Sequence, residues 1–289
     1  MYAKTIHSVS FSKAWEEAVK FVRQSPEKLI FGGGKEIKYA VDSQTTIILD
    51  EHAVRDLIRH VVHPSDPFAT PNKLREYVSE YSDAYDASRF DYTYYDIFRG
   101  GFEYPHSVYK DCNVPDVKYG VDKFNQIEAL RSGLEKQIEE RLSSNRNVAV
   151  LWNPVVHTYS TKAQPCWNEV LVRWVGDGKA QIYNHFRSHD LFSAWGGNMV
   201  AMIEFLNRDV VKPCGCEIVE VIETNFSLHI YEYDLPAAMK IKELQVNPAL
   251  QRLQDKYNRI SCPTIFDDVL DKMEKGGTWK NGTALAAMI

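Results

Sequence analysis

The residues with the most chemical potential are gathered around one cysteine. Cys166 lies in Pro165-Cys166-Trp167, and Arg187-Ser188 with Asp190 begins twenty-one residues later. Gly196-Gly197-Asn198 and His229-Ile230-Tyr231 follow, while Asn145-Arg146-Asn147 leads into Val150-Leu151-Trp152-Asn153 upstream. An isolated Cys is more often a small buried hydrophobe than a nucleophile, so its ordered company carries the signal. Thiolate is the nucleophilic form of cysteine, and a neighbouring cation favours it. Arg187 is the candidate cation; its plainer reading is a surface salt bridge. Asp190, just before Leu191, suits a helix cap equally well. His229 and Tyr231 also fit two residues on one face of a strand. Cys214 and Cys216 form C-x-C, a weak metal signal, and no His or Cys pair completes a zinc site, so no metal is expected.

The 289-residue chain is long enough to bury a substantial core. Its 44% hydrophobic and 25% charged content fits a soluble globular protein. The formal net charge of −5 argues against bulk nucleic-acid binding, although two or three local cations suffice for one phosphate. The first apolar run, Ala14 to Val22, is broken by Glu16, Glu17 and Lys20, a helix pattern and not a signal peptide or membrane span. Five cysteines without an export signal point to reduced thiols, so a cytoplasmic location without membrane attachment is expected.

Around the cysteine, hydrophobic periodicity sets out the elements. Helices are expected over 10–24, opening on serines that can cap, and over 51–62, 71–85 and 121–143. The last should bury Phe124, Ile127, Leu130, Leu134 and Ile138. Strands are expected over 39–49, 147–152 (a buried one), 169–175, 179–186 and 217–233. Gly176-Asp177-Gly178 is a hairpin signal between 169–175 and 179–186. Helices follow over 197–206, 235–257 and 264–275. The Tyr- and Asp-rich stretch 90–119 reads as a long loop with strand ends. The fold class is α/β (α+β): one domain over residues 1–289, with a mixed, largely antiparallel sheet flanked by helices.

The ordered motifs resemble the thymidylate synthase family. There a Pro-Cys pair is followed by Arg-Ser-x-Asp or Arg-Ser-x-x-Asp, by Asn at a fixed step, and by His-x-Tyr. The match spans roughly residues 119 to 233, including the eight-residue step from Asp190 to Asn198 and the six-residue step from Arg146 to Trp152. The resemblance implies Cys166 as the thiolate that adds to C6 of a uracil ring and turns C5 into a nucleophile. It implies Arg187 and Ser188 as phosphate ligands, and Arg146 as the arginine that reaches the partner subunit's phosphate in a homodimer with shared sites. Asn198 resembles the reader of the base. An amide can pair with O4 and N3–H of uracil, where a carboxylate would suit cytosine, so deoxyuridylate is the expected pyrimidine nucleotide. His229 and Tyr231 resemble the sugar-binding pair, Asp190 the carboxylate on the folate pterin, and Leu285 to Ile289 the apolar tail that closes over 5,10-methylenetetrahydrofolate. Glu80 is chosen as the catalytic glutamate, with Glu76 and Glu103 as alternatives; on local grounds each is also a solvated helix residue.

The chain departs from the family pattern at several places. Asn145 replaces the first of two arginines, Trp167 replaces the usual His after the nucleophile, and Phe186 stands where Gln is usual. Tyr94-Tyr95 with Arg99, or Tyr119-Gly120, stands for the Tyr-Gly-x-x-x-Arg segment, and Gly32-Gly33-Gly34-Lys35 for the N-terminal phosphate loop. After Trp15 there is no tryptophan until Trp152. Family methylating enzymes use tryptophans to shield the reactive exocyclic methylene from water. The balance therefore leans to the hydroxymethylating branch, similar to nucleotide hydroxymethylases of some DNA viruses, with Trp167 or Trp195 as alternative shields.

Overall fold

The computed structural model describes residues 2–31, 38–82, 93–100, 125–152, 157, 164–245 and 248–260. Its centre is a mixed sheet, in which β1 (Ala3–Ser8), β3 (Lys38–Leu49), β8 (Glu217–Tyr231), β6 (Lys179–Phe186), β5 (Trp167–Gly176) and β4 (Val148–Val150) lie side by side. β2 (Lys28–Phe31) pairs with β3, and the short β7 (His189–Asp190) continues beside β8. The β1–β3, β6–β8 and β7–β8 pairings are parallel and the others antiparallel. The expected mixed sheet is therefore present, with more parallel pairing than its hairpins suggested.

Buried and half-buried residues alternate along β3, β6 and β8. One sheet face is thus packed and the other left more open, the pattern of a sheet covered on one side. Helices α1 (Phe11–Val22) and α2 (Glu51–Ile58) pack on β3 and β8, and α5 (Gln126–Glu140) packs on β5 and β4. Helix α6 (Trp195–Leu206) is buried at every position except Glu204. It contacts α2 and α3 (Pro71–Ser79) and continues through a π-helical segment, Asn207–Val211, which packs against α5. A helix apolar all round belongs inside a fold, and α6 carries Asn198 there.

Several expected boundaries move for local reasons. The serine before α1 makes no side-chain cap; the Phe11 N–H donates instead to Asp56 Oδ2 from α2 at 3.3 Å. Helix α2 ends early, where His60 adopts a left-handed φ of 58°. The region read as a long loop contains a helix, α4 (Tyr94–Arg99), capped by the Thr93 side chain and closed by Gly100 at φ 64°. Thr93 accepts the Asp96 N–H, and Gly100 supplies the left-handed turn that helix ends favour. Strand β4 is not buried: it is the last strand of the path, with Val148 and Val150 exposed and only Ala149 inside. The long helix expected after residue 235 is a single turn, α7 (Leu235–Ala238). A separate unit, Val246–Ile289, contains α8 (Pro248–Ile260). The expected helix at 264–275 lies outside the described residues, as do residues 101–124.

One hydrogen bond links the first helix to the segment that bears the candidate site. Buried Trp15 in α1 donates Nε1–H to the Leu191 carbonyl, one residue past β7, at 3.1 Å. Trp15→Phe strands that carbonyl away from water, and chemical denaturation should show a loss of about 1–3 kcal/mol. Unchanged stability would show that the bond does not hold the β7 turn.

Candidate active site

The β5–β6 hairpin explains why the key residues are twenty-one apart. Gly176, Asp177 and Gly178 all take positive φ at its turn, and Trp167 at the start of β5 pairs with Phe186 at the end of β6. The next pair outward is Cys166 and Arg187, where the Arg187 N–H donates to the Cys166 carbonyl at 3.0 Å. Arg187 Nη2 then lies 3.8 Å from Cys166 Sγ. The guanidinium is held rigidly by Nε donating to the Pro165 carbonyl and Nη2 to the Gln164 carbonyl, each at 2.9 Å. It also lies over the Trp152 ring, 5.4 Å from the centroid. Among the described residues no ion pair to Arg187 is found.

The arginine does not by itself make Cys166 a resting thiolate. Burial raises the thiol above its ordinary value; Arg187 pulls it down, and the Asp190 carboxyl pushes it up again. The expected downward shift is thus outweighed by desolvation of the anion. Asp190 is itself raised, chiefly by burial and against the backbone N–H of Ser193. Its Oδ1 accepts the Phe192 and Ser193 N–H groups, so the carboxylate does cap a turn, as local reasoning allowed. Tyr231 is pushed up to about 12 by burial, with Asp190, Tyr233 and Cys166 adding to the effect. Cys166, Arg187, Asp190 and Tyr231 therefore share one electrostatic neighbourhood. His229, opposite Asp190 in the β7–β8 register, is held near 4 mainly by burial and packs edge-on against Tyr231 at 4.9 Å. Ser188 sits half-buried between Arg187 and β7.

Asn198 occupies a second, buried cluster. Its Oδ1 accepts from the Tyr77 hydroxyl at 2.6 Å, and its Nδ2 lies 3.0 Å from His189 Nε2. His189 stacks on Phe186 at 4.0 Å, and Phe186 stacks in turn on Trp167 at 6.0 Å. Sequence reasoning passed over Tyr77, His189 and Glu223, which contacts His189. A usable signal was present in β8, where Val221, Glu223 and Asn225 alternate on one face and only the first is apolar.

Two further candidates, Glu80 and Arg146, are described outside these clusters. Glu80 caps the C-terminus of α3, one turn beyond Tyr77, and is raised to about 7 by burial with Glu76 adding. Among the described residues no hydrogen bond or ion pair joins it to Cys166, Arg187 or Asn198. Arg146 is exposed just before β4 and likewise touches neither cluster. Ile289, Glu103, Tyr119-Gly120 and the Gly32 to Lys35 loop lie outside the described residues. His157, which sequence reasoning did not select, is buried against Trp152 at 5.0 Å and held near 4 by burial and then Arg187. Among the described residues no group of three or more His, Cys, Asp or Glu is placed to hold a metal ion, and no helix is long and apolar enough to cross a membrane.

The competition at Cys166 can be measured. Alkylation by iodoacetamide, read on the Cys166 peptide by mass spectrometry, should rise with pH to a midpoint above the free-thiol value of about 8.5. Below it the thiol is neutral and slow; above it the thiolate reacts. Arg187→Gln should move the midpoint further up and slow the reaction at neutral pH by roughly tenfold per unit moved. A wild-type midpoint below that of a free thiol would contradict this balance.

No family model matches the sequence. Curated relatives do. The chain is 24% identical over 233 residues, 80% of its length and 91% of the relative's, to a Methanosarcina acetivorans protein described as "Putative thymidylate synthase". Proteins of the same description from Methanothermobacter thermautotrophicus and Methanothermobacter marburgensis are 27% and 29% identical, over 66% and 62% of this chain and 73% and 67% of theirs. This likeness extends well beyond the motifs around Cys166, and the mixed sheet flanked by helices agrees with it. The chain is therefore similar, at low identity, to proteins described as putative thymidylate synthases.

Proposed function

We propose that the protein is a deoxyuridylate hydroxymethylase, converting deoxyuridylate, 5,10-methylenetetrahydrofolate and water to 5-hydroxymethyl-deoxyuridylate and tetrahydrofolate. The observation that carries the family-level chemistry is the Cys166 thiol 3.8 Å from a guanidinium fixed by two backbone carbonyls. Cys166 adds to C6 of the pyrimidine, and the electron pair of the C5–C6 double bond moves toward O4. Arg187 binds the nucleotide phosphate with Ser188, while its charge favours the thiolate as the adduct forms. Asn198 reads O4 and N3–H. His229 and Tyr231 take the sugar hydroxyl, and Asp190, beside Cys166, takes the pterin. Glu80, raised to about 7, is placed in the neutral range for proton transfer through water. The folate supplies the one-carbon unit, and after C5 loses its proton the fate of the exocyclic methylene decides the product.

Both tryptophans offered as alternative shields are built into the core. Trp167 and Trp195 are fully buried, and their indole N–H groups donate to the Glu169 carbonyl and to Glu223. Neither is free to cover an intermediate, which supports addition of water over hydride transfer. The competing reading is thymidylate synthase, favoured by the description shared by the relatives. Incubation with deoxyuridylate and methylenetetrahydrofolate separates the two. Hydroxymethylation should give a product heavier by one CH2O and no rise at the dihydrofolate absorbance band. Dihydrofolate with a methylated product would establish the synthase instead. Cys166→Ser should abolish either reaction, and retained turnover would overturn the mechanism.

Homodimerisation belongs to the same reading. Val148, Leu171, Tyr183, Ile222 and Ile48 align across β4, β5, β6, β8 and β3 on the open face of the sheet. An apolar stripe on a sheet face that is the more open one among the described residues suits self-association. Exposed Arg146 beside it suits donation to a partner's phosphate. Sedimentation should show a dimer, and Ile222→Lys should yield monomers; a monomeric wild type would remove Arg146 from the site.

A further inference from the structure

Asn198 can distinguish uracil from cytosine only if its amide is prevented from turning over. Uracil presents N3–H as donor and O4 as acceptor, whereas cytosine presents an N3 acceptor and an amino donor. An amide rotated by a half turn matches the second pattern as well as it matched the first. The family's usual His after the nucleophile is absent here, because position 167 is a tryptophan packed between Phe98, at 5.0 Å, and Phe186.

The orientation follows from a chain of hydrogen bonds that begins in β8. Glu223 is fully buried, and its Oε1 receives N–H donors from Trp195 Nε1 at 2.9 Å and Asn225 Nδ2 at 2.6 Å. An oxygen already accepting two N–H groups is an acceptor, so His189 Nδ1, 3.2 Å from it, is the protonated ring nitrogen. The Asn198 NH2 lies 3.0 Å from His189 Nε2 and can only donate, so Nε2 carries the lone pair that receives it. The opposite side of the amide is consequently oxygen, which accepts from the Tyr77 hydroxyl at 2.6 Å. Both ends agree. Stacking on Phe186 fixes the plane of the imidazole. One N–H and one oxygen lone pair of Asn198 remain for a base.

We infer that His189, held by Glu223, is the positioning residue that locks the Asn198 amide in its uracil-reading orientation, with Tyr77 as the second latch. This rests on the assignment of deoxyuridylate as substrate. Turning the amide over would set its oxygen, instead of its NH2, against the His189 Nε2 lone pair, two acceptors face to face in a buried site. A mismatch of that kind in the interior is costly, which is how buried polar groups enforce selectivity.

The test measures Kd for deoxyuridylate and for deoxycytidylate by calorimetry, so it needs no turnover. The unaltered protein should prefer deoxyuridylate. His189→Phe should lower the ratio of the two constants by at least about tenfold, and Tyr77→Phe, which removes one hydroxyl from a half-buried ring, should lower it in the same direction. A purely structural role would weaken both nucleotides together and leave the ratio unchanged. Should His189→Phe fail to fold, Tyr77→Phe decides. Retention of the full ratio in the folded variants, or equal binding of both nucleotides by the unaltered protein, overturns the positioning role alone. Binding of neither nucleotide by the unaltered protein overturns the functional reading and this inference with it.

Discussion

A carboxyl group buried at the centre of the sheet is the interaction on which the candidate site depends. Glu223 has no exposure, and taking a carboxyl out of water costs several kcal/mol unless donors replace the lost hydration. Three N–H groups converge on its Oε1, from α6, from β8 and from β7. The same atom therefore joins the helix that carries Asn198 to the short strand that carries Asp190. Among the described residues Oε2 has no hydrogen-bond partner, so the donors that offset the burial of this carboxyl all meet on one oxygen, and losing any of them is costly.

Two rigid constructions meet at that node. The β5–β6 hairpin brings Cys166 against Arg187, with the guanidinium fixed by backbone carbonyls and so oriented by the fold itself. The buried helix α6 brings Asn198 to the interior end of the same region through Tyr77 and His189. Phe186 connects them physically, stacked between Trp167 and His189. Burial then has opposite uses. It holds Cys166 as a neutral thiol until a ligand rebalances its surroundings, and it makes the amide orientation of Asn198 expensive to reverse.

Much of this was legible in the sequence where the signal was local. The glycines around Asp177 announced the hairpin, but residues 166 and 187 come opposite each other only through two register shifts along it, which the sequence does not announce. The apolar periodicity around Leu130 and Leu134 announced α5. The failures were equally physical. Val148-Ala149-Val150 reads as a buried strand, yet its exposure depends on lying at the end of the sheet path, a fact of topology and not of composition. Helix α4 is six residues long and depends on its Thr93 and Gly100 ends, so periodicity had too little length to register. His189, Glu223 and Tyr77 come from three elements, and no spacing rule relates 77, 189 and 223. The pairing of Cys166 with Arg187 was suggested by the sequence, but the placing of Tyr77 and His189 around Asn198 was not.

The orientation of the Asn198 amide depends on the proton positions of one imidazole, that of His189. Nitrogen-15 NMR of histidine-labelled protein, with His189 assigned by substitution, reports which ring nitrogen carries hydrogen. The Nδ1–H tautomer, with Nε2 unprotonated, is the result the hydrogen-bond chain from Glu223 to Asn198 predicts. An Nε2–H tautomer would reverse the Asn198 amide and contradict the account at its centre.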